Sequence, residues 1–197
     1  MKNKILIALV MVASTILISI FAFFSFERNY DEVSINWMSK VSDDVNILDL
    51  SIPGTHDSGA LHSIADVAGK CQDISIASQL KIGVRFLDLR LQLVDNEFKI
   101  VHSFVDQNLK FETVVKDLYS FIKKYDSEFL IISIKEDNDS VNSTISFDEA
   151  LIKALSPYDD VFMLNDSKLP ETVGMARSKI FILSRPLIIL LFLRQRF

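Results

Sequence analysis

A chain of 197 residues, 49% apolar and 24% charged, can bury a substantial core, which excludes an intrinsically disordered protein. The net charge is −5, and beyond residue 28 acidic residues outnumber basic ones without any basic cluster, which argues against nucleic acid as a partner. Cys71 is the single cysteine, so no intrachain disulfide forms, and the three histidines and Cys71 are too dispersed in the sequence to match a zinc-ligand spacing.

The first four residues carry two basic side chains, Lys2 and Lys4, and 5–26 run without a charge. That is about the ~20 residues a bilayer-spanning helix needs, and longer than the ~7–15 of a secretory apolar core. A signal peptide and an uncleaved signal-anchor both fit; the lack of a small-x-small site before Glu27 favours the anchor. The basic flank keeps the short N-terminal side cytoplasmic, so the domain is expected to be extracytoplasmic, secreted or anchored to the membrane. Residues 29–42 read as a linker, in which the apolar pair Trp37 and Met38 is expected to pack against the domain.

Residues 46–51, Asn-Ile-Leu-Asp-Leu-Ser, predict a short apolar strand that Pro53 and Gly54 end abruptly. The polar turn that follows holds His56 and Asp57 side by side, so their side chains point to different partners. In α/β architectures the reacting groups sit in such turns, at the C-terminal ends of strands. A surface turn in which Asp57 or Ser58 caps the next helix is the alternative.

His62 falls in a stretch without a period and reads as an ordinary histidine, and Cys71 as a small buried or half-buried side chain. Residues 74–80 predict a short helix ended by Gly83. Residues 84–90 alternate with period two, which places Val84, Phe86, Asp88 and Arg90 on one face. An acid and an arginine on an inward face are costly unless they pair or meet a ligand, so Asp88 and Arg90 are either a structural ion pair or part of a site. A turn at Asp95 and Asn96 leads to a second strand closed by His102.

Residues 109–126 carry an apolar stripe at spacings of three and four, a helix. Residues 128–134 are almost continuously apolar, the pattern of a parallel strand covered on both faces, and end in Lys135, Glu136 and Asp137. A polar loop over 138–144, a helix over 147–155, and short strands over 161–164 and 179–183 complete the pattern, with a turn near Pro170 and a helical piece to Ala176 between those two strands. Alternating strands and helices predict a parallel α/β sheet or barrel.

The string Ser-Ile-Pro-Gly-Thr-His-Asp-Ser-Gly at 51–59 closely resembles the first active-site segment of the bacterial phosphatidylinositol-specific phospholipases C. Leu87-Asp88-Leu89-Arg90 looks like that family's second active-site strand, and His102 like its second catalytic histidine; Ser103 departs from the glycine the family has there. Lys135 and the strand-ending Arg185 are similar to residues that contact the inositol ring or phosphate, and Asp88 falls in the same substrate-facing set. The resemblance covers roughly 37–185 and implies a partial (β/α) TIM-like barrel preceded by an N-terminal hydrophobic helix. The domains expected are 1–28 leader, 29–42 linker, 43–185 barrel segment and 186–197 an atypical apolar tail. A complete barrel takes about 250 residues, so the chain is expected to stop after half to five-eighths of it. In the complete family a late aspartate supports the first histidine and an aromatic ring stacks on the inositol; 186–197 offers neither.

The chemistry so implied is intramolecular displacement at the phosphodiester of a membrane lipid, phosphatidylinositol or its glycosylated anchors, giving inositol 1,2-cyclic phosphate and diacylglycerol. By resemblance His56 is the general base, His102 the general acid, Asp57 the residue that orients His102, and Arg90 a fork on the phosphate. Calcium-dependent relatives have a carboxylate where Arg90 stands, so no metal and no cofactor are expected. Two other readings stay open: an inactive tethered fragment, and a metal-dependent glycerophosphodiester phosphodiesterase, against which Arg90 argues.

Overall fold

The computed structural model describes residues 32–63, 69–163 and 170–184. The hydrophobic leader, Arg185 and the apolar tail lie outside the described residues. Among the described residues no helix is long and apolar enough to cross a membrane.

The sheet is built around β2 (Phe86–Val94). Its alternation sends Leu87, Leu89, Leu91 and Leu93 to one face, all fully buried, and Phe86, Asp88 and Arg90 to the other. On the leucine side lies the long amphipathic helix α3 (Phe111–Lys124), which contributes Val114, Val115, Leu118 and Ile122 to the same core. Each such side chain stabilises the fold by about 1.5–3 kcal/mol on leaving water.

Two short elements precede β2: strand β1 (Gly54–Thr55) and helix α2 (Ile76–Lys81), the latter capped by Ser75, whose side chain accepts from Ser78 N. After β2 come β3 (Glu97–His102), β4 (Val105–Lys110), α3, β5 (Leu130–Glu136), α4 (Phe147–Leu155), β6 (Phe162–Met163), α5 (Val173–Ala176) and β7 (Ile180–Ser184). The sheet order is β4-β3-β2-β5-β7-β6, with β1 also paired to β2. Pairings β1–β2, β2–β5, β5–β7 and β6–β7 are parallel, the expected barrel pattern. The β2–β3 and β3–β4 pairings are antiparallel and extend that pattern into a meander. The β2–β3 hairpin closes through Asp95 and Asn96, both left-handed (φ 53° and 64°), as a tight two-residue turn requires.

Three expectations are corrected. Residues 46–51 are not a strand: Ile47–Asp49 is a 3-10 turn whose start the Asn46 side chain caps, and Leu48 is 86% exposed, where a strand would have buried it. Strand β4 went unrecognised because its inward positions are Val105 and Gln107, and a buried glutamine breaks the apolar alternation. Helix α3 therefore begins at Phe111, after the strand, not at Leu109. Within the expected linker, Glu32–Ile35 forms helix α1 and Trp37–Lys40 a 3-10 turn that packs into the domain: Met38 is fully buried and Trp37 Nε1 donates to Gly83 O at 3.0 Å.

The inward face of the sheet is graded along the strands. In register, Phe86 lies beside Ile131 and Ile131 beside Phe181, and this level joins an apolar cluster with Met38, Ile47, Phe129, Val173 and Ala176. One step on are Asp88, Ser133 and Leu183, and beyond them Arg90 beside Lys135. Apolar packing at the N-terminal ends thus supports charged groups at the C-terminal ends.

At the N-terminal ends a second charged group is fully enclosed. Arg85, just before β2, donates Nε to Glu128 Oε2 at 2.8 Å and Nη1 to Leu80 O and Val84 O, each at 2.8 Å. Its Nη2 donates to Ile35 O, and its guanidinium stacks 4.6 Å from the Phe121 ring centre. Burial lowers the pKa of Arg85, and the charge and hydrogen bond of Glu128 act against that shift.

Candidate active site

The turn after β1 is fastened from several sides. Ser58 N donates to Asp88 O (2.8 Å) and Asp88 N to Ser58 Oγ (2.9 Å), which locks the turn to the middle of β2. Buried Gln79 accepts from Thr55 Oγ1 (2.7 Å) and donates to Ser58 O (2.8 Å). At Gly59 a Cβ would fall 2.6 Å from Ile100 Cγ2, so only glycine lets the turn sit this close to β3. Asp57 takes a left-handed conformation (φ 48°), which this network holds in place. The result separates two adjacent residues, with the His56 side chain 65% exposed and Asp57 only 1%.

Asp57 Oδ2 is the meeting point of the cluster. His102 Nε2 lies 3.3 Å from it, Arg90 Nε 3.2 Å and His56 Nε2 3.9 Å. Asp88 Oδ2 is 3.2 Å from His56 Nδ1 and 3.4 Å from Arg90 Nη2, and accepts from Asp57 N at 3.2 Å. A third carboxylate, Asp137, lies 3.8 Å from Arg90 Nη1 and accepts from Lys135 Nζ. Burial pushes the Asp57 carboxyl above its ordinary range; Arg90, His102 and His56 pull it down less strongly, and Asp88 adds to the rise. For Asp137 burial also acts upward, but the Lys135 and Ser103 hydrogen bonds and the charges of Lys135 and Arg90 together hold it below the ordinary range.

Ser103 is itself left-handed (φ 52°), a backbone that favours glycine. The conformation is held at both ends: Ser103 N donates to Asp137 Oδ2 (2.9 Å), and Ser103 O accepts from Asn138 Nδ2. A serine therefore keeps the turn that follows His102.

Despite so many charges, the cluster is left incomplete. Asp57 Oδ2, Asp88 Oδ1, Arg90 Nε and His102 Nδ1 are buried and have no hydrogen-bond partner among the described residues. Buried polar atoms are rarely left so, and four around one node mark a place where a polar ligand supplies what the protein does not.

Residues 51–186 match the model of the phosphatidylinositol-specific phospholipase C X domain. The chain belongs to this family. It is 28% identical over 158 residues to the 1-phosphatidylinositol phosphodiesterase of Staphylococcus aureus (strain Newman), a match covering 76% of this chain and 50% of the relative. With the enzyme of the same name from Listeria monocytogenes it shares 31% over 168 residues, 78% of this chain and 51% of the relative. Among solved structures, a pentafluoro-Phe form of the S. aureus phospholipase C superposes with TM-score 0.71 at 30% identity, covering 79% of this chain and 55% of that one. The L. monocytogenes phospholipase C gives 0.66 at 30%, covering 77% and 57%. The chain spans about half the length of the relatives it matches.

Of the residues expected for a phospholipase C X-domain site, the fold brings together His56, Asp57, Asp88, Arg90, His102 and Lys135. Arg185 lies outside the described residues. Asp88, expected on the substrate side, faces His56 Nδ1 and Arg90. Asp137 was missed; its signal was the charged ending of the apolar strand over 128–134. Cys71 is exposed, not buried, and is not remote from the histidines: it lies beside His56 and Asp57. Cys71 N and Gln72 N both donate to Ala60 O (2.8 and 2.9 Å), and Gln72 Nε2 to His56 O (2.6 Å), which folds this segment back onto the turn after β1.

Proposed function

We propose that this X domain cleaves phosphatidylinositol, or glycosylated anchors built on it, by metal-independent acid–base chemistry. His56 accepts the proton of the inositol 2-hydroxyl as that oxygen bonds to phosphorus. The bond from phosphorus to the diacylglycerol oxygen breaks, and His102 protonates that oxygen. The products are inositol 1,2-cyclic phosphate and diacylglycerol, and proton exchange with water returns both imidazoles to their starting states. Arg90, and Lys135 in register beside it, neutralise charge that builds on the phosphoryl oxygens. Asp57 stabilises the imidazolium form of His102, and Asp88 holds the tautomer of His56 that leaves Nε2 free to accept a proton.

The observation that supports this reading is that both imidazoles and the guanidinium lie within 4 Å of the one Asp57 oxygen. An in-line displacement needs its base and acid on opposite flanks of a single phosphorus, with positive charge between them. The substrate is a membrane lipid, so the domain works at a bilayer surface, and the apolar leader accords with a domain on the outer side.

The test is to incubate the full chain with phosphatidylinositol vesicles in EDTA and follow phosphorus-31 signals. Cyclic inositol phosphate is expected, and His56→Ala and His102→Ala should each abolish it while leaving the urea midpoint nearly unchanged. Loss of activity on chelation, or full activity in either variant, would overturn the scheme.

A further inference from the structure

Cys71 has no part in the reaction above, yet its Sγ, a ring nitrogen of His56 and a carboxylate oxygen of Asp57 all lie within 4.8 Å of one another. Asp57 is 1% exposed and its Oδ2 accepts no aligned hydrogen bond among the described residues, so a buried acceptor is aimed at this place without being satisfied by them. His56 has the bearing of a metal-binding imidazole: Nδ1 faces the Asp88 carboxylate at 3.2 Å, while Nε2 is 3.9 Å from Asp57 Oδ2. A carboxylate on one ring nitrogen fixes the tautomer and raises the basicity of the other, the common outer-sphere device at zinc sites.

A tetrahedral zinc with bonds of about 2.0–2.3 Å sets its ligand atoms roughly 3.3–3.8 Å apart. The three atoms lie within 4.8 Å of one another, and His56 and Cys71 are exposed, so their side chains are the ones with room to move towards that spacing. Arg90 Nε, 3.2 Å from the same Asp57 oxygen, opposes any cation here, and Asp57, Asp88 and a Cys71 thiolate outweigh it. The donor set of one imidazole, one thiolate and one carboxylate selects against calcium, which seeks six or more oxygens, and for an ion that bonds strongly to sulfur.

We propose that His56, Cys71 and Asp57 form an inhibitory site for a thiophilic divalent cation, zinc, whose fourth position is left to water. On binding, the Cys71 thiol releases its proton as the zinc–sulfur bond forms, and nothing is oxidised or reduced. The zinc occupies the Nε2 lone pair of His56, the same pair that accepts the substrate proton, so the metal-bound form is inactive. The inhibition rests on His56 being the base; the binding does not.

The experiment uses the full chain, freed of metal with EDTA and then of the chelator, titrated with zinc against a chromophoric chelator and separately with cadmium. Binding of one zinc is expected, with a thiolate-to-cadmium charge-transfer band in the ultraviolet. Cys71→Ser should lose the band and weaken zinc by more than the about 10–100-fold that loss of an outer-sphere partner costs. Its metal-free turnover should match the unsubstituted chain, and its inhibition by zinc should shift by the same factor as its affinity. Absence of the band, or equal zinc affinity in Cys71→Ser, overturns the site even if lipid turnover proceeds. Zinc binding through Cys71 without loss of turnover leaves the site standing and overturns the inhibition, and with it the assignment of His56.

Discussion

Two arginines, Arg85 just before β2 and Arg90 at its middle, meet carboxylates in opposite ways. Arg85 is fully enclosed, and its Nε, Nη1 and Nη2 all donate, to Glu128 and to three carbonyls, over an aromatic ring. Glu128 is satisfied in turn, accepting from Arg85 and from Ser127 Oγ at 2.9 Å. Arg90 has three carboxylates about it, yet among the described residues its Nε makes no aligned hydrogen bond, and neither do Asp57 Oδ2, Asp88 Oδ1 or His102 Nδ1. The first arrangement lowers the energy of the fold as it stands. The second holds charge in readiness for something that is not protein, and burial makes that readiness costly. The difference teaches that an ion pair in this domain is read by its satisfaction and not by its distance.

The sharpest test of the contrast is Asp57→Asn. It removes the charge that stabilises the His102 imidazolium, and turnover should fall by about 10⁴, as when a catalytic imidazole loses its carboxylate elsewhere. Stability should move the other way. The Asp57 pKa is raised in the folded state, so the fold holds the proton more tightly than the unfolded chain does, and stability is lost as pH rises from about 3.8 through the raised value. The asparagine variant should therefore be the more stable at neutral pH, with the gap closing as pH falls towards 3.8. Urea denaturation at several pH values checks this, and a less stable variant at neutral pH would break the comparison.

Just before β2, Glu128→Ala leaves the Arg85 guanidinium buried without its partner and should cost about 3–5 kcal/mol. Turnover per folded molecule should be unchanged, measured well below the shifted melting temperature. A specific loss of turnover would mean that the two clusters are coupled through β2. Arg90→Lys keeps the charge but loses the planar fork, so turnover should drop about 10²–10³-fold while the urea midpoint barely moves. Smallest of all, Ser103→Gly relieves a left-handed serine and should raise stability by up to about 1 kcal/mol without changing turnover. A fall in turnover would show that the serine side chain contributes to placing His102.

The parts of this fold that were legible in the sequence are those where one face is apolar throughout. The alternation over 84–90, the stripe over 109–126 and the apolar run over 128–134 became β2, α3 and β5 with small shifts at their ends. Legibility failed where a polar residue is buried or an apolar one exposed. Gln107 occupies an inward position of β4 and hid that strand, and Leu48 lies in solvent and imitated a strand that is not there. Arg85 lies between Val84 and Phe86, and Glu128 follows it only after three strands and a helix, so nothing local marked them as partners. In the site, His56, Asp57, Arg90 and His102 were found through short strings that resemble a family, whereas Asp137 and Cys71, which stand in no such string, were not.

The sequence by itself determined which residues alternate inward, where the chain turns, and that an acid, an arginine and two histidines end up at the C-terminal side of strands. Period two and the turn residues decide a side chain's face and level through local sterics, which need no knowledge of the rest of the chain. Only the tertiary structure decided which carboxylate meets which nitrogen: Asp88 with His56, Asp57 with His102, Asp137 with Lys135, and Cys71 beside His56 and Asp57. Those choices depend on separations of a few ångströms between residues remote in sequence, which strand register and a tightly fastened turn settle and local pattern does not.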